Sequence, residues 1–168
     1  MTKKNNKLIL IIITVILAVA LIATGTIFAV KYIKDYVGDT TISFECKTVL
    51  AGDTVKLPFS ITKNHGIWGG QIKIDYDAEA ISFVSCSNGD VFDECEINSA
   101  DGAVNLIINQ TEMDNSNKNG IIATLNFKVN DAAKKGNYTI QFDETSNFCD
   151  KDAQMVKVIL KDGTITIK

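Results

Sequence analysis

The sequence predicts an all-β sandwich behind a single apolar segment, and three observations carry that expectation. From Asp39 onward, apolar and polar residues alternate in short runs, as in "QIKIDY" at 71–76. Turn residues rich in Gly, Asp and Asn break these runs every 8–15 residues. No stretch after Val30 repeats with the period of a helix. Period-two alternation sends successive side chains to opposite faces of a strand, so one face can be buried while the other stays wet.

The apolar segment comes first. Leu8 to Val30 is 23 residues without a charge, preceded by Lys3, Lys4 and Lys7 and followed by Lys31 and Lys34. At about 1.5 Å per residue, such a helix covers the roughly 30 Å hydrocarbon core of a bilayer. An uncleaved signal-anchor and a cleaved leader both fit. A leader has a shorter apolar run and a small-residue cleavage site, whereas the A-x-A at Ala18-Val19-Ala20 lies mid-run. The flanking lysines mildly favour an inside N-terminus. The expected organisation is a cytoplasmic stretch 1–7, a transmembrane helix 8–30, a linker 31–40 and an extracellular β domain 41–168 on the cell membrane.

The strands follow in order. Ile42, Phe44 and Cys46 alternate with Ser43, Glu45 and Lys47, and Ala51-Gly52-Asp53 turns the chain. Val55, Leu57, Phe59 and Ile61 come next, with Pro58 among the polar set. Proline lacks the N–H that a ladder uses, so this strand is expected at an edge or a bulge. In 66–76, Ile72, Ile74 and Tyr76 oppose Gln71, Lys73 and Asp75, and the run starts with Gly69 and Gly70 beside Trp68. Glycine in a strand marks a bulge or a close approach by another surface. Then come Ile81–Cys86, an acidic strand Val91–Ile97, and Val104, Leu106 and Ile108 before the polar loop 111–120. Ala123–Val129, Tyr138–Phe142, Val156–Leu160 and Ile165–Ile167 complete nine or ten strands, which pack as two antiparallel sheets.

Charge and chemistry narrow the function. Five of the 17 lysines and one of the 20 acids precede Asp39, which leaves 12 lysines against 19 acids in residues 39–168 and no arginine anywhere. Nucleic acid, which is read by arginine and basic patches, is a poor partner for such a surface. Catalysis has little to work with. The lone His65 has no nucleophile motif around it, and a small sandwich leaves few long loops for a cleft. No metal or other cofactor is expected on the chain. Asn115, Asn117 and Asn119 have an EF-hand-like rhythm, but the twelfth position, which needs a bidentate Glu, is Asn126. Cys46, Cys86, Cys95 and Cys149 permit three pairings or none, with Cys86–Cys95 preferred because a short loop through Asn88-Gly89 joins them.

Several segments together carry a family resemblance. "GGQIKIDYDAEAISFV" (69–84) is similar to the third and fourth strands of cohesin domains, and "AGDTVKLPFSI" (51–61) to the cohesin entry. "NGIIATLNFKVNDAAKKG" (119–136) and "GNYTIQFDETSNFCDKDAQMVKVILKDGTITI" (136–167) resemble the C-terminal half, including Phe148 and Asp150. The chain departs from many cohesins at Ala78, where they have proline. It departs from one well-studied class at Gly69 and Gln71, where that class has Asn and Asp.

The resemblance implies a nine-stranded jelly-roll β-sandwich of bacterial origin. It also implies a non-catalytic role: gripping the calcium-loaded dockerin of secreted polysaccharide-degrading enzymes, in cellulosome-type assembly. In cohesins that grip is the outer face of the sheet built from strands three, five, six and eight. Alternation independently points Gly69, Gln71, Lys73, Asn105, Ile107 and Asn109 outward on this face, with Gln110 beside them. Ala153 borders it by resemblance. Ile107 is either an ordinary exposed isoleucine or an apolar anchor with a polar rim. Direct polysaccharide binding is the alternative function. It would use Trp68 as an aromatic platform, although a single tryptophan beside a turn more often closes a core.

Overall fold

The computed structural model describes residues 40–111 and 117–168. The expected membrane helix at 8–30, its linker as far as residue 39, and 112–116 of the polar loop lie outside them. Among the described residues no helix is long and apolar enough to cross a membrane. Those residues form β1 (Thr41–Phe44), β2 (Lys47–Val49), β3 (Thr54–Thr62), β4 (Gly69–Asp75), β5 (Ile81–Asn88) and β6 (Glu94–Ala100). The chain continues through β7 (Ala103–Asn109), β8 (Gly120–Val129), β9 (Gly136–Phe142), β10 (Asn147–Cys149), β11 (Ile159–Lys161) and β12 (Gly163–Ile167).

Two sheets face each other. One has the order β11-β1-β3-β8-β5, the other β2-β12-β9-β4-β7-β6, with β10 also paired to β4. The alternating aliphatic residues meet between them. Leu57, Ile61, Ile72, Ile74, Leu106, Ile108, Leu125 and Phe127 are all fully buried. Phe44 stacks on Phe142 with ring centroids 4.6 Å apart, and Phe59 meets Phe142 edge-on at 6.2 Å. Every residue of this core falls within Gly38–Lys168, which forms one compact unit. The all-β sandwich expected from the sequence is therefore what the chain adopts.

The strand count differs from the expected nine or ten. Twelve segments form among the described residues because the first run splits into β1 and β2 and because 147–149 form the additional strand β10. The run from Ile42 to Lys47 was expected as one strand. Instead β1 pairs with β11 in one sheet and β2 with β12 in the other, and both pairs are parallel. The chain crosses between sheets at Glu45-Cys46 and again at Asp162. The two crossings touch, since a Cβ on Gly163 would lie 2.5 Å from Phe44 Cβ. Only glycine fits there, which is why the closing Asp-Gly turn has the composition it does. The expected strand at 156–160 is likewise shortened to β11, after Val156 N donates to Phe148 O.

Pro58 is not on an edge strand: β3 lies between β1 and β8. The proline is accommodated by where β1 stops. Phe44 pairs with Phe59, so the β1 ladder ends one residue before Pro58, and Glu45 N donates to Pro58 O at 3.3 Å. The N and O of a strand residue point the same way, so the missing N–H faces this gap, next to a β-bulge between Phe59 and Ser60.

The glycines of β4 have a similar cause. The surface that approaches them belongs to the chain itself: β10 pairs with Gly69, Gly70 and Gln71. A Cβ on Gly70 would sit 2.4 Å from Asn147 O and 2.9 Å from Phe148 Cδ1. Phe148 thereby reaches the core, where it is buried. Asp150, also buried, folds the following turn by accepting from Asp152 N and Gln154 N, both at 2.9 Å.

All four cysteines are free thiols in the structure. Burial, and then the neighbouring Cys95, pushes the Cys86 thiol up to about 12, and burial also raises that of Cys95.

Two expected outcomes follow from this packing. Gly70→Ala should destabilise the domain by about 1–3 kcal/mol, as overpacking does, and should speed amide exchange at 147–149 in β10 before that of β4. Unchanged exchange there would reject the steric role of Gly70. The thiols affect stability at alkaline pH. An unfolded cysteine ionises near 8.5, below the folded value of Cys86. The reduced domain should therefore keep this contribution below about pH 8.5 and lose it as pH rises toward 12. Urea midpoints at successive pH values check this, and Cys86→Ala should show a shallower alkaline decline.

Candidate functional site

The candidate site is the outer face of the second sheet. Strands β9, β4, β7 and β6, third, fifth, sixth and eighth in the run expected from the sequence, lie side by side in it. Register sorts their side chains. Ile72, Ile74, Leu106 and Ile108 turn inward, so their odd-numbered neighbours turn out. Residues directly opposite in an antiparallel pair share a face. Four rows result: Cys149, Gly69, Asn109 and Glu94; Asn147, Gln71, Ile107 and Glu96; Lys73, Asn105 and Asn98; Gln141, Asp75, Ala103 and Ala100.

Ile107 lies at the centre of these rows, between Gln71 and Glu96, and is 41% exposed. Its polar neighbours form the surround. The row below carries a hollow of about 230 Å³ lined by Lys73, Asp75, Asn98, Ala103, Asn105 and Asp143. It is floored by the short Ala103 side chain. Asn105 Oδ1 is buried there without a hydrogen-bond partner.

Lys73 is held rather than free to reach outward. Its Nζ donates to Thr145 Oγ1 at 2.8 Å, and its backbone N donates to Ser146 Oγ at 3.0 Å. Hydrogen bonds from Thr145, side chain and backbone, hold the Asp143 carboxyl below the usual carboxylate range, with Lys73 adding to the effect. The 143–146 turn thus clips onto β4 and sets one border of the face.

Two expected site residues, Gln110 and Gly69, need correction. Gln110 is not part of an exposed rim. It is buried, and its Nε2 donates to Val91 O at 2.5 Å, tying the end of β7 to the loop before β6. Gly69 is not an open floor for a partner, because Asn109 Oδ1 lies 2.8 Å from where its Cβ would be. Ala153 was expected in a loop bordering the face, and it is exposed in the turn after β10, with a left-handed φ of 57°. Gln71, Lys73, Asn105, Ile107 and Asn109 do share the outer face.

Sequence reasoning missed Glu94, Glu96, Asn98 and Asn147, which the register brings to the same face. Alternation of Glu94, Glu96 and Asn98 with Cys95, Ile97 and Ser99 was the available signal. Trp68 is half-buried at the strand entry, its backbone tied to Cys149 O and Gln110 N, both at 2.8 Å.

Comparison with known proteins agrees with this geometry. The family model described as the cohesin domain matches residues 40–167. A curated relative, cellulose-binding protein A of Clostridium cellulovorans, is 25% identical over 150 residues. The match covers 86% of this chain and 8% of that protein, so the chain spans a small fraction of its relative's length. Three solved structures share the fold. A type I cohesin–dockerin complex from Clostridium thermocellum matches with a TM-score of 0.69 and 19% identity, over 77% of this chain and 99% of that one. The seventh ScaB type I cohesin of Pseudobacteroides cellulosolvens gives 0.69 and 22%, over 79% and 94%. A non-cellulosomal cohesin from the archaeon Archaeoglobus fulgidus gives 0.67 and 15%, over 77% and 91%. With its sandwich, its register and a family match over nearly the whole described region, the chain belongs to the cohesin domain family.

Proposed function

We propose that this chain is a non-catalytic cohesin module that binds the dockerin of a polysaccharide-degrading enzyme, with calcium carried by the dockerin. One observation carries the reading. A flat, four-stranded outer face presents Ile107 in the middle of a polar surround, the anatomy of a recognition patch with an apolar anchor. The dockerin complex among its structural neighbours supports the choice of partner. The curated relative is a cellulose-binding protein, which supports a setting in polysaccharide breakdown.

The rim supplies selectivity. Glu94, Glu96 and Asp75 are exposed on the face rows, where Lys73 is the single cation among the described residues. An acidic rim favours partners with cationic side chains and speeds their encounter. With Gly69 masked by Asn109 and Gln71 on the next row, the dockerins accepted would differ from those read by an Asn–Asp strand. The apolar segment 8–30 supports a further part of the proposal, a single-pass anchor holding one cohesin on the outside of the cell membrane.

The experiment uses residues 38–168 as bait for a purified dockerin-bearing enzyme. Binding should occur with calcium and be lost on chelation. Ile107→Asp should weaken it at least about 30-fold, the loss of a hot-spot residue, with the melting temperature close to that of the unmutated domain. Calcium-independent capture, or full-strength binding by the variant, would reject this face.

A further inference from the structure

The family role leaves the four cysteines unused, and their placement is uneven. Cys86 lies on β5, the edge strand of one sheet, and Cys95 on β6, the edge strand of the other. The two strands follow each other in sequence and lie against one another along one side of the sandwich. Each cysteine points between the layers. Cys86 pairs with Leu125 and Cys95 with Ile108, both fully buried, and each is half-buried and packs against the same core cluster. Val91 and Phe92, in the segment that joins the two strands, are buried.

The other two thiols are elsewhere. Cys149 faces the outer side of the second sheet, in the row of Gly69 and Asn109, while its neighbour Phe148 turns into the core. Cys46 is exposed where the chain crosses between sheets after β1. A disulfide needs Cα atoms within about 7 Å and Cβ vectors that converge. Two inward-facing side chains on touching edge strands can approach in this way, whereas an inward and an outward one on opposite sides of a sheet cannot.

We propose that Cys86 and Cys95 are a disulfide pair that clasps the two sheets along the β5–β6 edge, formed by exchange with a small-molecule disulfide such as oxidised glutathione. Two Sγ–H groups give up two protons and two electrons, and one Sγ–Sγ bond forms. The oxidant's S–S bond breaks, and it leaves as two thiols carrying those protons and electrons. Exchange proceeds through the thiolate. Burial disfavours that form at Cys86, and the proximity of Cys95 adds to the effect. The bond therefore forms readily while the chain folds and slowly once the seam is closed. Edge strands are where a sandwich opens first, and a short covalent loop there limits the unfolded chain.

The test refolds residues 38–168 from urea in a glutathione redox buffer. It uses the unmutated sequence and the Cys46→Ser/Cys149→Ser double variant, which keeps only the proposed pair. Peptide mapping of the unmutated protein should find Cys86 joined to Cys95. The double variant should lose both countable thiols and a mass of two hydrogens. Its melting temperature should exceed that of its reduced form by about 5–10 °C, a shift that Cys86→Ala removes. Two thiols still countable in the refolded double variant would overturn the proposal. So would mapping that joins Cys86 or Cys95 to Cys46 or Cys149, or a melting temperature lowered by oxidation.

Discussion

The sandwich rests on one constraint: the alternation of β4, β7, β3 and β8 has a single register that buries its aliphatic set. Ile72, Ile74, Leu106, Ile108, Leu57 and Leu125 are fully buried, and they come from strands of both sheets. Because the side-chain period is two, a slip of one residue would turn these groups to water and bring Gln71, Lys73 and Asn105 into the core. Burying an aliphatic side chain stabilises by about 1.5–3 kcal/mol, so such a slip is closed to the chain. The same register fixes the outer face. Its residues are held by what lies beneath them, and Ile107 is exposed because Leu106 and Ile108 cannot be.

The chain completes the sheet from its own length at the places where regular pairing would fail. β4 would present an open edge beyond β9, and β10 covers it. An uncovered edge pairs indiscriminately with other chains. Covering it requires Phe148 to enter the core and Gly70 to lack a side chain. At the other end of the domain, Gly163 lets the first and last strands change sheets within contact distance of Phe44. Glycine weakens a strand by entropy, yet at both positions the alternative is a clash with backbone or with a core aromatic. Gly70 and Gly163 belong to the scaffold, while the recognition proposed here falls to the side chains of the outer face.

How far the sequence could be read follows from this. β3, β4, β7 and β8 were legible because each has one buried face and a regular ladder, so local pattern and tertiary placement agree. The crossings at Glu45-Cys46 and Asp162 were not, since alternation continues through them and the change of sheet depends on two distant segments meeting. β10 was hidden for a related reason: three residues are too short to show a period, and only β4 makes them a strand. At the site, Gln71, Lys73, Asn105, Ile107 and Asn109 were placed on the outer face by parity alone. Gln110 misled because it follows the last residue of β7, where parity no longer says which way a side chain turns, and Val91 draws it inside. Glu94 and Glu96 were overlooked as site residues because acidic β6 is an exposed edge strand with too little burial to advertise its faces.

In the proposed mode of binding, a paired ladder and a less constrained border would divide the work of recognition. Gln71, Asn105 and Ile107 stand on strands paired on both sides, and an anchor on such a support loses little freedom when a partner docks. Glu94, Glu96 and Asn98 stand on β6, paired on one side only, and Asp143 and Thr145 sit in a turn clipped to Lys73. Substitutions at the border can therefore change charge and partner preference without disturbing the buried register. In the proposed mode of binding, substitutions at the centre would act directly on affinity, because Ile107 is the exposed apolar side chain there. A face of this kind can keep its fold and its mode of binding while its choice of partner drifts. The fold itself is shared with a non-cellulosomal archaeal cohesin at 15% identity.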